Sequence, residues 1–283
     1  MKTIVKVLVL LFLTAAIFGG AAWYAYNLYL KPQKVPKSKA AIARAAAAAP
    51  TPDRSGEDFD ALNASLKGKP RPEVIVALGK FLEDHASSSK AADARKLLGD
   101  LNVEEFFSRT PGPHKTEYVV VPGDSLARIS SKNKVSFDLI IRANNIDRLL
   151  IHPGDRFIIP TGNFSLELSA KDKVATLKND GVFFKEYPLV SASLPSNPTA
   201  EGIVVSEKIA WHDGKRVAFG DKEYVGSSRW ITLSANGLTL YSLIEDGSPA
   251  DVETPGSGAQ LSPGDMEEIF ALVNRGTPVT ISP

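Results

Sequence analysis

The residues able to do covalent or acid–base chemistry are sparse and scattered. The chain has no cysteine, which removes disulfides, thiolate metal sites and cysteine nucleophiles together. Its histidines, His85, His114, His152 and His212, lie far apart without metal-ligand spacing, so no metal and no cofactor is expected. Ser87–Lys90 and Ser131–Lys134 each fit a Ser-x-x-Lys spacing. Both sit where helix caps or surface turns are expected rather than a nucleophile with its base. Asp251 and Glu253 are paired acids, but the Gly-, Pro- and Ser-rich stretch from Gly247 to Gly258 reads as a solvated loop.

The elements around these residues carry more information. From Tyr118 to Pro160, two short apolar strands, Tyr118–Val121 and Arg156–Ile159, flank two short helical segments. Pro122-Gly123 makes a turn, and Asp124 or Ser125 caps the first helix. Leu126 and Ile129 follow at helical spacing. Ser136 caps the second helix, with Asp138 in its first turn where the dipole favours an anion. Leu139, Ile140 and Ala143 form the apolar side of that helix. Asn144-Asn145 reads as a left-handed stop and Pro153-Gly154 as a second tight turn. This order resembles the lysin motif (LysM), a strand–helix–helix–strand module that binds N-acetylglucosamine-containing glycans. The resemblance implies a shallow groove between the loop entering the first helix and the loop leaving the second, involving Gly123, Asp124, Ser125, Leu126, Asn145, Ile146 and Ile151. Read singly, Leu126 and Ile151 also fit a core, Gly123 a turn and Asp124 a cap.

With 283 residues, 43% hydrophobic and 23% charged, the chain is globular in composition and long enough for two modest domains. A formal net charge of +1 gives no reason to expect a nucleic-acid partner. Val7–Leu30 has no ionisable group other than its tyrosines. At about 1.5 Å per residue it is long enough to cross a bilayer core with some tilt. Trp23, Tyr24, Tyr26 and Tyr29 would form an interfacial belt. Gly19-Gly20-Ala21-Ala22 offers a signal peptidase small residues, but the apolar run continues past them, which favours an uncleaved anchor over residues 1–30. The lysines after the span argue mildly for a cytoplasmic C-terminal side. A glycan-binding module belongs where glycan is, so the expected arrangement is a single-pass inner-membrane protein facing the periplasm or cell wall. Residues 31–57 read as an Ala/Pro/Lys-rich tether, about 30 Å as a coil and about 80 Å extended.

Residues 58–109 read as helical. Phe59, Leu62 and Leu66 share one face; Pro72 starts a second helix with Val74, Ala77, Leu78, Phe81 and Leu82 as its stripe. Ser88 or Ser89 caps a third, carrying Ala91, Ala94, Leu97, Leu98 and Leu101. The last two resemble a degenerate tetratricopeptide-type hairpin, which must pack on a neighbour or a partner. The LysM segment spans 117–161 and a β-rich region 164–283. In the latter, Phe164, Leu166 and Leu168 alternate and Asn179-Asp180-Gly181 makes a hairpin turn. Gly202–Ile209, Arg229–Leu233 and Leu238–Leu243 are strand-like, Pro263–Asn274 is helical and Gly276–Ile281 is a closing strand.

Four stretches of this region resemble the catalytic domain of L,D-transpeptidases, which crosslink peptidoglycan stems through a cysteine thioester. They are Asn179–Gly181 with Phe184–Pro188; Pro198–Gly202; Gly226–Ile231; and Leu261–Pro263 through Pro278–Ile281. The family's chemistry is not matched. Tyr241 stands where the activating His is expected, Gly256 at the second His, Gly258 at the cysteine and Gln260 at the usual Arg. Ser257 lies in the corresponding loop, and the only histidine of the region, His212, is far upstream. The fold class expected is therefore α+β and multidomain: a transmembrane helix, a short helical region, a βααβ LysM domain and a mainly-β transpeptidase-like domain. The functional expectation is a non-catalytic binder of peptidoglycan glycan strands. The rivals are an acyltransferase or hydrolase with another nucleophile, and an adaptor whose helical region recruits cell-wall enzymes.

Overall fold

A computed structural model describes residues 54–146, 149–194, 202–235, 237–243 and 255–282. The expected membrane anchor, the tether up to Asp53, the Pro198–Glu201 part of the expected turn and the Asp251/Glu253 pair lie outside the described residues. Among the described residues no helix is long and apolar enough to cross a membrane.

The chain from Arg54 onward opens with three helices, α1 (Ser55–Leu66), α2 (Arg71–Asp84) and α3 (Ala91–Phe107). Acidic Glu57 and Asp58 in the first turn of α1 and Pro72 in that of α2 are favoured there by the dipole and by proline's fixed φ. Helix α1 begins inside the stretch read as tether. The expected Ser88 or Ser89 cap of α3 is not made: Lys90 holds the N-cap position without a side-chain bond. A backbone turn, with Ala91 N–H donating to the Ser88 carbonyl at 3.1 Å, takes its place. Phe59, Leu78, Phe81, Ala94 and Leu98 form a small core of their own. The hairpin of α2 and α3 covers its remaining apolar side with a neighbour. Phe106 of α3 meets Phe164 and Phe184 edge-on at 5.3 and 5.7 Å, and the Asn102 amide donates to the Phe184 carbonyl at 2.8 Å.

Residues 115–160 are built as strand, two helices and strand. β1 (Lys115–Val119) pairs antiparallel with β2 (Arg156–Pro160), Lys115 opposite Pro160 and Val119 opposite Arg156. Between them run α4 (Leu126–Asn133) and α5 (Phe137–Asn144). β1 starts earlier than the apolar run suggested, because Lys115 to Glu117 pair across to the apolar residues of β2.

Beyond the short joint at Thr161–Asn163 the chain forms two sheets. The first, in the order β12–β3–β4–β5, comprises β3 (Phe164–Ser169), β4 (Val174–Asn179), β5 (Val182–Pro188) and β12 (Val279–Ser282), with β12 parallel to β3. Asp180 and Gly181 take φ of 52° and 79° at the β4–β5 turn, as a two-residue hairpin requires. The second, in the order β6–β11–β10–β9–β7–β8, comprises β6 (Ser191–Ser193), β7 (Val205–His212), β8 (Lys215–Val217), β9 (Ser228–Leu233), β10 (Thr239–Tyr241) and β11 (Gly258–Gln260). Helix α6 (Pro263–Leu272), capped by Ser262 accepting from Asp265 N–H, buries Met266, Ile269 and Phe270.

The segments expected as separate domains share one hydrophobic core. It runs from Val103 and Phe106 through Leu126, Ile129 and Ile140 to Ile231, Ile269 and Ile281. The chain from Arg54 onward clusters as one compact unit.

Candidate functional site

The loop from Val120 to Ser125 is shaped by its own side chains. Gly123 takes φ 87°, a conformation that costs glycine little. The Asp124 carboxylate accepts from Val121 N–H at 3.0 Å and from the Tyr118 hydroxyl at 2.9 Å. These two bonds hold the carboxyl below its ordinary value, and the second of them raises the Tyr118 phenol. Ser125 is the cap of α4, its Oγ accepting from Arg128 N–H at 3.2 Å. Of the two candidate caps, serine is therefore the cap and Asp124 the loop brace. Val120 N–H donates to the Asp155 carbonyl at 2.9 Å and Gly154 N–H to the Val120 carbonyl at 2.8 Å. These bonds pin the loop entering α4 beside the loop entering β2.

On the far side Asn145 ends α5 in the left-handed region at φ 52°, as the Asn pair suggested. Asn144 does something the sequence did not disclose. Its side-chain amide accepts from Ile158 N–H at 2.8 Å and donates to the Ile158 carbonyl at 2.9 Å, stitching α5 to β2. Leu126 is buried, and Ile146 and Ile151 pack half-buried against the same core. Thus Leu126 belongs to the buried core and Ile146 and Ile151 pack against it, while Gly123, Asp124 and Ser125 lie at the entry to α4 and Asn145 at the end of α5. Asp147 and Arg148, between Ile146 and Ile151, lie outside the described residues. Sequence reasoning missed two apolar side chains that remain in water: Val121 is 51% and Leu150 68% exposed. The available signal was the run Leu149-Leu150-Ile151, more apolar than one strand-entry loop needs. Leu149 takes φ 55° and lines a cavity with Val225 and Arg229, turning away from solvent while Leu150 faces it.

Of the positions aligned with transpeptidase chemistry, Tyr241, Gly258 and Gln260 fall on β10 and β11 of the six-stranded sheet. Tyr241 on β10 is buried, its ring 5.9 Å from that of Trp230, which lies 5.1 Å from that of Trp211. Gln260 on β11 meets Ser191 Oγ at 3.3 Å, and Gly256 is exposed in the preceding loop. Gly258 takes φ 150°, and a Cβ there would overlap the Thr239 carbonyl oxygen and lie 2.8 Å from its carbon. Ser257 Oγ donates to the Ser193 carbonyl at 3.2 Å, and no His, Lys or carboxylate among the described residues bonds to it. His212, at the end of β7, is separated from β11 by β9 and β10, about 14 Å at the usual strand spacing. The two Ser-x-x-Lys stretches are structural: Lys90 pairs with Asp93 at 3.0 Å, and Lys134 ends α4 in the left-handed region. Among the described residues no group of three or more metal-ligating side chains forms.

A buried polar seam joins the LysM helices to the C-terminal region. Asp138 accepts from the Tyr224 hydroxyl at 2.6 Å and lies 3.4 Å from Lys208 Nζ, which also reaches Ser136 Oγ at 2.8 Å. Burial lowers the Lys208 ammonium and raises the Tyr224 phenol. Glu268 of α6 gathers Arg142 of α5 at 2.8 Å, Lys185 at 3.0 Å and the Tyr187 hydroxyl at 2.9 Å.

Solved structures similar to this chain include three L,D-transpeptidases. A mutant enzyme of Enterococcus faecium is 19% identical, with 42% of this chain and 49% of that chain covered and a TM-score of 0.26. L,D-transpeptidase 3 of Mycobacterium tuberculosis is 19% identical over 46% and 65% of the two chains, TM-score 0.30. Another L,D-transpeptidase, from M. tuberculosis H37Rv, is 20% identical over 46% and 70%, TM-score 0.29. The present chain thus spans about half the length of the E. faecium enzyme. No curated protein matches the chain. Residues 118–160 match the LysM domain family, and this segment of the chain is a LysM domain.

Proposed function

We propose that this chain is a peptidoglycan-binding protein of the cell envelope, anchored in the inner membrane by residues 1–30 with its folded part toward the wall. The LysM domain holds N-acetylglucosamine-containing glycan. Backbone groups around Gly123 and Asn145 face the acetamido arms, and Leu126, Ile146, Ile151 and the exposed Leu150 offer the apolar contact. The observation that carries this reading is the match of residues 118–160 to the LysM family, beside the braced loop entering α4.

The C-terminal region, in this reading, keeps a transpeptidase-like fold without its reaction. Acyl transfer of that type needs a thiolate and a base, and the chain of 283 residues contains no cysteine. The rival nucleophile, Ser257, spends its hydroxyl on a backbone carbonyl. The adaptor reading needed an open apolar face on the helical region, and the Phe106 end of α3 is instead covered by β3 and β5. The test is sedimentation of the full-length chain with purified sacculi, with muropeptide analysis of the incubated wall. Co-sedimentation that Leu150→Asp weakens at least tenfold, with an unchanged muropeptide profile, is the expected result. A chain left in the supernatant sinks the binding role, and new crosslinks or trimmed stems sink the non-catalytic one.

A further inference from the structure

A lysine inside a fold needs water or an anion at its ammonium. Lys208 on β7 has little water, its side chain being 13% exposed. Its carboxylate partner, Asp138, stands at 3.4 Å, whereas a close charge-assisted N–H···O contact is about 2.7–2.9 Å. Asp138 is held elsewhere, accepting from the Tyr224 hydroxyl at 2.6 Å and the Ser136 hydroxyl at 2.9 Å. The nearer neighbour of Lys208 Nζ is a neutral group, Ser136 Oγ at 2.8 Å. The Phe270 ring of α6 lies 4.3 Å from Nζ and 5.1 Å from the guanidinium of Arg229, which pairs with Glu267. Burial, foremost, together with Arg229 outweighs Asp138 and Glu267, so the ammonium is held below its ordinary value. Nζ–H on Ser136 and Ser136 O–H on Asp138 form a relay. A proton passed along it leaves a neutral amine and a neutral acid, the state that burial favours.

This amine is not sealed in. It lines a cavity of about 530 Å³ between the LysM helices and β7–β8, in the size range of small-ligand sites. None of the residues expected to meet glycan lines it. Part of its wall is aromatic, with Phe137 and Phe219 at 4.1 Å and Tyr224 at 5.5 Å from Phe219. Arg216, also on the wall, pairs with Glu207 at 2.9 Å. Arg275, on the same wall, is exposed and has no ion-pair partner among the described residues.

We propose that Lys208 forms an imine with a small carbonyl compound, an aldehyde acid or oxo acid. Its apolar body lies against Phe137 and Phe219, and its carboxylate meets the planar fork of Arg275, which suits it bidentately. A desolvated lysine beside another cation is a nucleophile of this kind. The neutral Nζ attacks the carbonyl carbon, a C–N bond forms, and the C=O π pair moves to oxygen. Asp138, through Ser136, returns protons to that oxygen, which departs as water. Two of the three ammonium hydrogens leave in the water and the third stays on the iminium nitrogen. The iminium charge then faces Asp138 and the Phe270 ring, as the ammonium did.

The experiment incubates the full-length chain with para-carboxybenzaldehyde and cyanoborohydride, which reduces an imine to a stable amine, and maps modified lysines by mass spectrometry. At neutral pH, Lys208 should react at least tenfold faster than Lys96 and Lys222, whose side chains are 82% and 89% exposed, and should saturate with aldehyde. That lead should shrink as pH nears the ordinary lysine value of about 10.4, where exposed amines also lose their proton. Ser136→Ala should slow Lys208 more at neutral pH than in alkali. Benzaldehyde, which lacks the carboxylate, should need at least tenfold more to half-saturate, and Arg275→Ala should remove that difference. Reaction of Lys208 no faster than that of Lys96, or without saturation, overturns the proposal. Equal half-saturation by the two aldehydes overturns the role given to Arg275, as does an Arg275→Ala protein that still tells them apart.

Discussion

The loops around the LysM helices are shaped by turns, caps and backbone bonds, whereas the reaction of an L,D-transpeptidase depends on particular side-chain atoms. Gly123, Asp124, Ser125 and Asn145 set these loops through turns, a cap and a left-handed stop, each a local arrangement that several sequences can supply. At Tyr241, Gly256, Gly258 and Gln260 the strands are in place, yet none of these residues carries a thiolate or an imidazole. The contrast also runs in packing: the first site leaves Val121 and Leu150 in water, while the second is closed by Tyr241 and by the approach of β10 to Gly258.

The strongest way to break that comparison is to fill Gly258. A Cβ at φ 150° must displace the Thr239 backbone, combining overpacking with backbone strain, each of about 1–3 kcal/mol. Gly258→Ala should lower stability by about 4 kcal/mol in urea unfolding, and Gly258→Cys should do the same without producing transpeptidation. A well-folded Gly258→Cys protein that crosslinks stems would show that the site is only one substitution from activity.

A smaller effect tests whether the two regions depend on each other. Glu268→Ala leaves Lys185 and Arg142 without their shared carboxylate. Breaking a buried pair from one side typically costs about 3–5 kcal/mol, and because Arg142 is partly exposed the lower end, about 3 kcal/mol, is expected. Binding to sacculi should survive, since no groove residue touches Glu268. If Glu268→Ala abolished that binding at temperatures where the fold persists, the groove would owe its shape to the C-terminal region rather than to its own loops.

Much of this was legible in local sequence. The caps at Ser125 and Ser136, the stop at Asn145, the alternation Phe164, Leu166, Leu168 and the Asn179–Gly181 turn are all decided within a few residues, and each is realised. The three-residue strands β6, β8 and β11 are too short to show a period. Asp138 reads as an acid placed by the helix dipole, yet its partners Lys208 and Tyr224 lie 70 and 86 residues away, and only tertiary packing can reveal that. For the same reason the two domains appear separable in sequence although they share a core. In the groove, the glycine and caps were visible, while the exposure of Leu150 depended on Leu149 turning inward.

The smallest expected effect concerns acid, and it separates the two sites by their titratable groups. Asp124 is held below its ordinary carboxyl value by Val121 N–H and by the Tyr118 hydroxyl. A depressed folded value means the unfolded chain takes up the proton first. The stabilisation is therefore complete above the ordinary Asp value of about 3.9 and is lost as pH falls through the lower folded value. Acid should thus loosen the Val120–Ser125 bank, seen as movement of the Val121 amide resonance below about pH 4, and Asp124→Asn should flatten that response. Tyr118→Phe removes one of the two donors and should move the midpoint up toward the ordinary value. Tyr241, Gly256, Gly258 and Gln260 include no carboxylate or imidazole, so their amides should stay still over the same range. A midpoint at or above the ordinary Asp value, or equal movement in both regions, would mean that the Asp124 brace does not set the groove.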